Sequence, residues 1–392
     1  MKKALILLFT MSLCLQISAQ VSYDELFSYQ LNQTRELKVK LPKNYDENAL
    51  LKHPVIIVFD GDYLFEPVVG QVEFQTYFDD MPGSIVVGIM QGNERFYDSY
   101  VDEATGLPVE SGANFYEFIG KELLPYIDSK YNTSKFRVAV GHNKMGNFIN
   151  AFALKELPLF QAYVNLSPDF VGNMQKNIIN RLQWMENDFF YYMATSDNDI
   201  PQIRDMVLEA HLSLKNLDNK KVTYYFDDFN NDTHYTLVSS AISRAFDKIF
   251  DLYKPLREKE IIEKVIPYEG TLDVYLAERY ERLDELFGIE KPIPEEEFEK
   301  IAKIAEERED IETFRGLGKL AKKQNPESLL GTYYLAQYAE KSGKNKKAKK
   351  LYESALTLND VSHVNREFIF SKIDELTIVD TDDENEEDDE EN

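Results

Sequence analysis

Over its first two thirds the chain switches between two apolar periods, and after that it keeps only one. Arg35-Glu36-Leu37-Lys38-Val39-Lys40-Leu41 places apolar side chains at every second position, the period of a strand with one buried face. Pro42 and Asn44 end it. Residues 55–59 (Val-Ile-Ile-Val-Phe) and 84–89 (Ser-Ile-Val-Val-Gly-Ile) are unbroken apolar runs rich in β-branched residues, as parallel strands buried on both faces require. Phe160 to Leu166, Phe189 to Thr195 and Val222 to Phe226 read as three more strands. Between them, Asn114 to Ile127 puts Phe115, Phe118, Leu123 and Leu124 on one side of an amphipathic helix. Strands separated by helices in this way predict an α/β fold, a mainly parallel sheet with helices on both faces.

After about residue 254 the strand signals vanish, and Glu and Lys dominate a helical period. Pro255 to Lys264 reads as a connection, and Pro292 and Pro294 punctuate the segment again. The expected organisation is a sheet domain over 21–253, an all-α region over 265–375 and an acidic disordered tail over 379–392. Within the helical region, Tyr333 to Leu358 resembles a tetratricopeptide helix pair. Ala336 and Tyr338 fall in its first helix, Gly343 in the turn, and Ala348, Tyr352, Ala355 and Leu356 in the second. Small residues at this spacing let two helices approach closely. Residues 297–326, with Phe314, Leu317, Leu320 and Pro326, read as a weaker preceding repeat.

Composition narrows the partners. Residues 1–19 carry Lys2 and Lys3, an apolar run from Ala4 to Leu15, and Ile17-Ser18-Ala19 before Gln20. That is the layout of a secretory signal peptide, with a retained membrane anchor as the alternative. Cleavage near Ala19 would place the mature chain in the periplasm or outside the cell, with no transmembrane segment. Cys14 is the only cysteine, and Leu13 before it is a poor fit to a lipobox. The mature chain therefore has no disulfide and no thiolate metal site, and no cofactor is expected. The net charge is −25, and ten acidic residues fall in the last 13 positions. A nucleic-acid partner is excluded on electrostatic grounds.

The candidate chemistry centres on residues 137–148, Arg-Val-Ala-Val-Gly-His-Asn-Lys-Met-Gly-Asn-Phe. A short strand, a sharp turn and a helix start have the form of a nucleophile elbow, Gly-x-Ser-x-Gly. Asn143 stands where the serine belongs, and Met145 where the second glycine belongs. Methionine at a crowded turn implies a relaxed or reshaped elbow.

Several ordered stretches carry a family resemblance. His53 to Asp62 ends a strand in Asp60-Gly61. Val86 to Ile89 is followed by Asn93, Arg95 and Asp98. Phe118 to Ile127 precedes the elbow, Gly141-His142-Asn143 stands at Gly-His-Ser, and Leu166-Ser167-Pro168 follows the next strand. Residues from about 22 to 253 thereby resemble the putative-esterase group of the α/β-hydrolases, which includes enterochelin-esterase-like enzymes. The resemblance implies an α/β-hydrolase fold and ester hydrolysis through a serine, a histidine and an acid. In the order nucleophile, acid, base these fall on Asn143, Asp197 and His234, with Asp199 an alternative acid. Lys144 and Gly61 are candidate oxyanion donors through their backbone N–H groups. Ser167 is implied to be structural, and His142 to pack at the elbow.

A carboxamide has no proton that a histidine can usefully remove, so Asn143 cannot form the ordinary acyl-enzyme. The expected function is an exported, catalytically degenerate esterase-like protein. It would bind a small ester-like ligand or a partner in the old cleft. One alternative is an active carboxylic-ester hydrolase using a non-standard site around His234. Another is an interaction protein whose helical region binds a protein partner, with the hydrolase domain as scaffold.

Overall fold

The computed structural model describes residues 21–362 and 364–389. The proposed leader with Cys14, and residues 390–392 of the acidic run, lie outside the described residues.

The strands are β1 (Ser22–Ser28), β2 (Gln33–Lys40), β3 (His53–Val58), β4 (Ile85–Ile89), β5 (Thr133–His142), β6 (Ala162–Leu166), β7 (Phe189–Asn198) and β8 (Val222–Thr233). They form one sheet in the order β1-β2-β4-β3-β5-β6-β7-β8. β1 with β2 and β2 with β4 pair antiparallel. All the remaining pairs are parallel. β3, β4 and β6 are buried at every position, so both faces of the sheet are covered, as their unbroken apolar runs require.

The helices of this part are α1 (Gly61–Tyr77), α2 (Glu110–Phe118), α3 (Leu124–Lys130), α4 (Lys144–Ala153), α5 (Met174–Gln183), α6 (Pro201–Leu214) and α7 (Leu237–Ile249). Two details depart from the sequence reading. β1 was not expected, because its Tyr23, Glu25 and Phe27 are exposed on an edge strand, where apolar alternation carries little burial. The helix expected over 114–127 is broken into α2, one π-helical turn (Ile119–Leu123) and α3. The wider turn keeps Phe115, Phe118, Ile119, Leu123, Leu124 and Ile127 all buried, which a uniform helix would splay around its axis.

The chain divides into two compact units after Tyr253. The sheet unit also includes Leu286–Ile289, at the end of α8 (Leu272–Phe287). There Phe287 completes an aromatic cluster, its ring 4.9 Å from Phe136 and 5.4 Å from Phe250.

The second unit comprises Lys254–Glu285 and the chain from Glu290 onward. It is helical from Glu258, within the stretch read as a connection. Its further helices are α9 (Glu295–Glu307), α10 (Ile311–Gln324), α11 (Leu329–Lys341), α12 (Asn345–Ala355) and α13 (Arg366–Asp389). Each of α9 to α12 packs on the next, around Leu276, Phe298, Phe314, Leu317, Tyr334 and Tyr352. The acidic run expected to be disordered continues α13 as helix to Asp389. Among the described residues, no helix is long and apolar enough to cross a membrane.

Candidate active site

The order of the sheet turns about β3 and β5, and the C-terminal ends of strands at such a switch point form the usual ligand crevice of an open α/β sheet. β5 ends at His142 and α4 begins at Lys144. Asn143 alone makes the turn between them, at φ 55° and ψ −119°, a conformation that costs a non-glycine residue on the order of 1–3 kcal/mol. The backbone holds it there from both sides. Its N–H donates to the Leu166 carbonyl at 3.1 Å, and its own carbonyl accepts from Asn147 at 3.2 Å and Asp169 at 3.1 Å.

The elbow is therefore fully strained rather than relaxed, which corrects the expectation drawn from Met145. Met145 is buried in the core of the sheet unit. The close approaches fall to Gly141 and Gly146 instead. A Cβ on Gly141 would lie 2.5 Å from the Met145 carbonyl oxygen, and one on Gly146 would lie 2.9 Å from Pro168 Cα. The small residue needed at the start of this helix is Gly146, next to Met145.

His234 follows the end of β8 and is buried. Its Nδ1 lies 2.7 Å from Asp199 Oδ1, and Asp199 follows the end of β7. A carboxylate only accepts, so Nδ1 carries the proton and Nε2 presents a lone pair. Asn143 Nδ2 donates to that lone pair at 3.3 Å. Nucleophile position, base and acid thus stand in triad geometry.

The acid is Asp199. Asp197, the residue preferred from the sequence, is exposed and instead accepts from the Asn231 N–H at 2.7 Å. β7 loses its regular register between Ser196 and Asn198, and Asp199 lies just past the strand, where its carboxylate meets His234. A plain Ser-Asp-Asn-Asp run gives no sign of this. Four donors hold the Asp199 carboxylate: His234, Ser167 Oγ at 2.7 Å, Thr195 Oγ1 at 2.8 Å and the Ile200 N–H at 2.8 Å. Burial alone would raise its pKa, but these hydrogen bonds outweigh burial and hold it below the usual carboxylate value. Ser167 is itself wholly buried at φ 44°, and its Oγ lies 3.0 Å from His234 Nδ1.

A second chain of polar contacts supports the elbow. His142 Nε2 lies 3.1 Å from the His234 carbonyl oxygen, which only accepts, so Nε2 carries the ring proton, and Nδ1 lies 3.0 Å from the Tyr63 hydroxyl oxygen. Burial, then the neighbouring His234, push the His142 pKa down to about 4, so the ring is neutral. Tyr63 also contacts buried Asp60 at 3.1 Å, and Arg95 clamps Asp60 through Nε at 2.6 Å and a second nitrogen at 3.0 Å. The Tyr63 link had no sequence signal beyond its position after Asp60-Gly61.

Gly61 opens α1, and a Cβ there would lie 2.8 Å from the backbone of Gly88 and Ile89. Close packing against β4 is thus reason enough for the glycine. Lys144 opens α4. The first N–H groups of both helices have no intrahelical partner, which is what an oxyanion donor requires. Among the described residues, no group of three or more His, Cys, Asp or Glu side chains is arranged to hold a metal ion.

The family described as "Putative esterase" matches residues 28–225. No curated protein matches the chain. Among solved structures, an uncharacterised protein from Capnocytophaga ochracea DSM 7271 is 27% identical, with a TM-score of 0.84 over 92% of this chain and 100% of that one. An IroE-like serine hydrolase from Shewanella oneidensis is 19% identical, with a TM-score of 0.57 over 86% of this chain and 99% of that one. The siderophore hydrolase EstA from Aspergillus nidulans is 13% identical, with a TM-score of 0.52 over 60% of this chain and 95% of that one. The last two likenesses show the fold, an α/β-hydrolase sheet.

Proposed function

The chain belongs to the putative esterase family, and from that premise we propose that it is an exported, catalytically degenerate member that binds an ester-like ligand in the old cleft. One observation carries the reading. The side chain at the strained elbow, aimed at a correctly held His–Asp pair, is a carboxamide. Acyl transfer needs a nucleophile whose proton the base can take. Asn143 offers a delocalised nitrogen and fills the base's lone pair with its own N–H. Loss of a triad nucleophile costs on the order of 10⁶ in turnover, while binding and oxyanion stabilisation remain. The frame around Asn143 is the part of an esterase that binds.

Export rests on residues 1–19, with the basic start at Lys2 and Lys3 and the small residue Ala19 before Gln20.

The decisive assay compares the wild type with Asn143→Ser on short p-nitrophenyl esters and a serine-directed fluorophosphonate. The wild type is expected to turn over nothing above buffer and to take no label. Asn143→Ser is expected to label and to gain turnover of about 10²-fold or more. Wild-type turnover that disappears in His234→Ala would overturn the degenerate reading.

A further inference from the structure

The outer face of α1 is aromatic. Tyr63, Pro67, Gly70, Phe74 and Tyr77 recur at alternating steps of four and three, the spacing of a seam between two packed helices. The buried face of the helix is a different one, formed by Leu64, Phe65, Val68 and Val72. Tyr63 is 44% exposed, Phe74 60% and Tyr77 80%, and Phe78, which caps the helix, is 56% exposed. The Phe78 ring stands 5.2 Å from Phe74 and 5.0 Å from Tyr77, so these three rings form one cluster. Gly70, in the middle of the seam, has no reason inside the chain. It is not among the positive-φ residues. Apart from the helix's own backbone, no described atom lies within 4 Å of the point where its Cβ would be. Glycine inside a helix is destabilising relative to alanine. What a missing side chain offers on a helix face is the close approach of a second backbone.

The glutamates along one side of the seam are already neutralised. Lys38 Nζ lies 2.7 Å from Glu66 and Lys40 Nζ 2.6 Å from Glu73, so two such faces would not repel one another. Tyr23 pairs with Lys38 across β1 and β2, and directly opposed residues share a face of the sheet. Phe27, four residues along β1, lies on that face too. Tyr23 and Phe27 are 62% and 49% exposed, and they continue the aromatic surface beyond the Lys38–Glu66 pair. At roughly 200 Å² per aromatic side chain, the exposed parts of these six residues amount to about 700 Å² per copy, against about 800 Å² per partner in a stable interface.

We propose that α1 packs antiparallel on the α1 of a second copy of this chain, about a two-fold axis that passes beside Gly70. A two-fold interface must be complementary to itself, and this seam is. Counted from Gly70, Tyr63 lies seven residues before and Tyr77 seven after, with Pro67 three before and Phe74 four after. Antiparallel pairing sets Tyr63 by the second copy's Tyr77 and Phe74 by its Pro67, and the two Gly70 backbones meet at the crossing. The dimer does not depend on what the cleft binds.

Sedimentation velocity of the purified full chain is expected to show a dimer at micromolar concentration. Gly70→Gln is expected to weaken it at least about 100-fold, because a central contact is spoiled in both copies. The same change removes an interior glycine. Diluted below the dissociation range of the dimer, the variant should therefore unfold at a denaturant concentration no lower than the wild type's, which shows that it is folded. Phe74→Gln, at an exposed ring, is expected to weaken the dimer without touching Gly70. A wild type that stays monomeric at about 100 μM would overturn the proposal. A dimer that survives either substitution would overturn it as well, by placing the contact elsewhere. If a monomeric wild type instead co-sediments with phosphatidylcholine vesicles and Phe74→Gln does not, the face belongs to a lipid surface and the second copy is excluded.

Discussion

Asn143 occupies a backbone conformation that an ordinary asparagine avoids, and four contacts around its neighbour Asp199 keep a base oriented toward it. A side chain without a hydroxyl stands at the turn, and the turn itself is intact. His142, one residue earlier, shows how the turn is kept. It is held neutral between Tyr63 and the His234 carbonyl. Its pKa is about 4 in the folded chain against 6.5 for a free histidine. The unfolded chain therefore takes up the proton first as pH falls, and the stability contributed by the neutral ring is lost from about pH 6.5 down to about pH 4. Thermal melts should show the wild type losing up to about 1.4 kcal/mol per pH unit over that window relative to His142→Gln, whose amide can still donate to the carbonyl. Parallel pH profiles for the two proteins would show that His142 is not buried neutral.

Elements decide where those residues meet. β5 delivers Asn143 and β7 delivers Asp199, while His234 arrives just beyond β8. The apolar runs of β3, β4 and β6 were legible because strands buried on both faces leave no polar position to blur them. β1 was not legible, because its less exposed positions include Asp24 and Ser28 while Tyr23 and Phe27 lie on the exposed side. The return of Leu286–Ile289 to the sheet unit was equally hidden, since a single phenylalanine at a helix end looks like helix packing. Its weight can be measured. Phe287 is wholly buried against Phe136 and Phe250, so Phe287→Ala should cost about 3–5 kcal/mol in chemical denaturation of the full chain. Phe136 lies near the start of β5 and Asn143 just past its end, so ligand affinity should stay unchanged. A loss below about 1 kcal/mol would mean that the segment is not part of the sheet unit's core.

At the scale of the whole molecule, charge and the leader speak to setting rather than chemistry. An acidic chain with no cysteine after Cys14 relies on apolar burial in both units for stability. If the leader is removed as proposed, intact-mass measurement of the protein from its native host should give a chain beginning at Gln20, and an intact Met1 would refute cleavage of the leader. The sequence by itself determined the α/β class, the break near residue 254, the elbow and its missing hydroxyl. Each of these is written in local periodicity or in one letter at a fixed spacing. The tertiary structure alone decided that Asp199 rather than Asp197 holds His234, that Asn143 meets the Nε2 of that histidine, and that Gly141 and Gly146 sit at the close approaches of the turn. Those outcomes depend on which atoms from distant strands and turns arrive within about 3 Å of one another, and no spacing along a single chain encodes that.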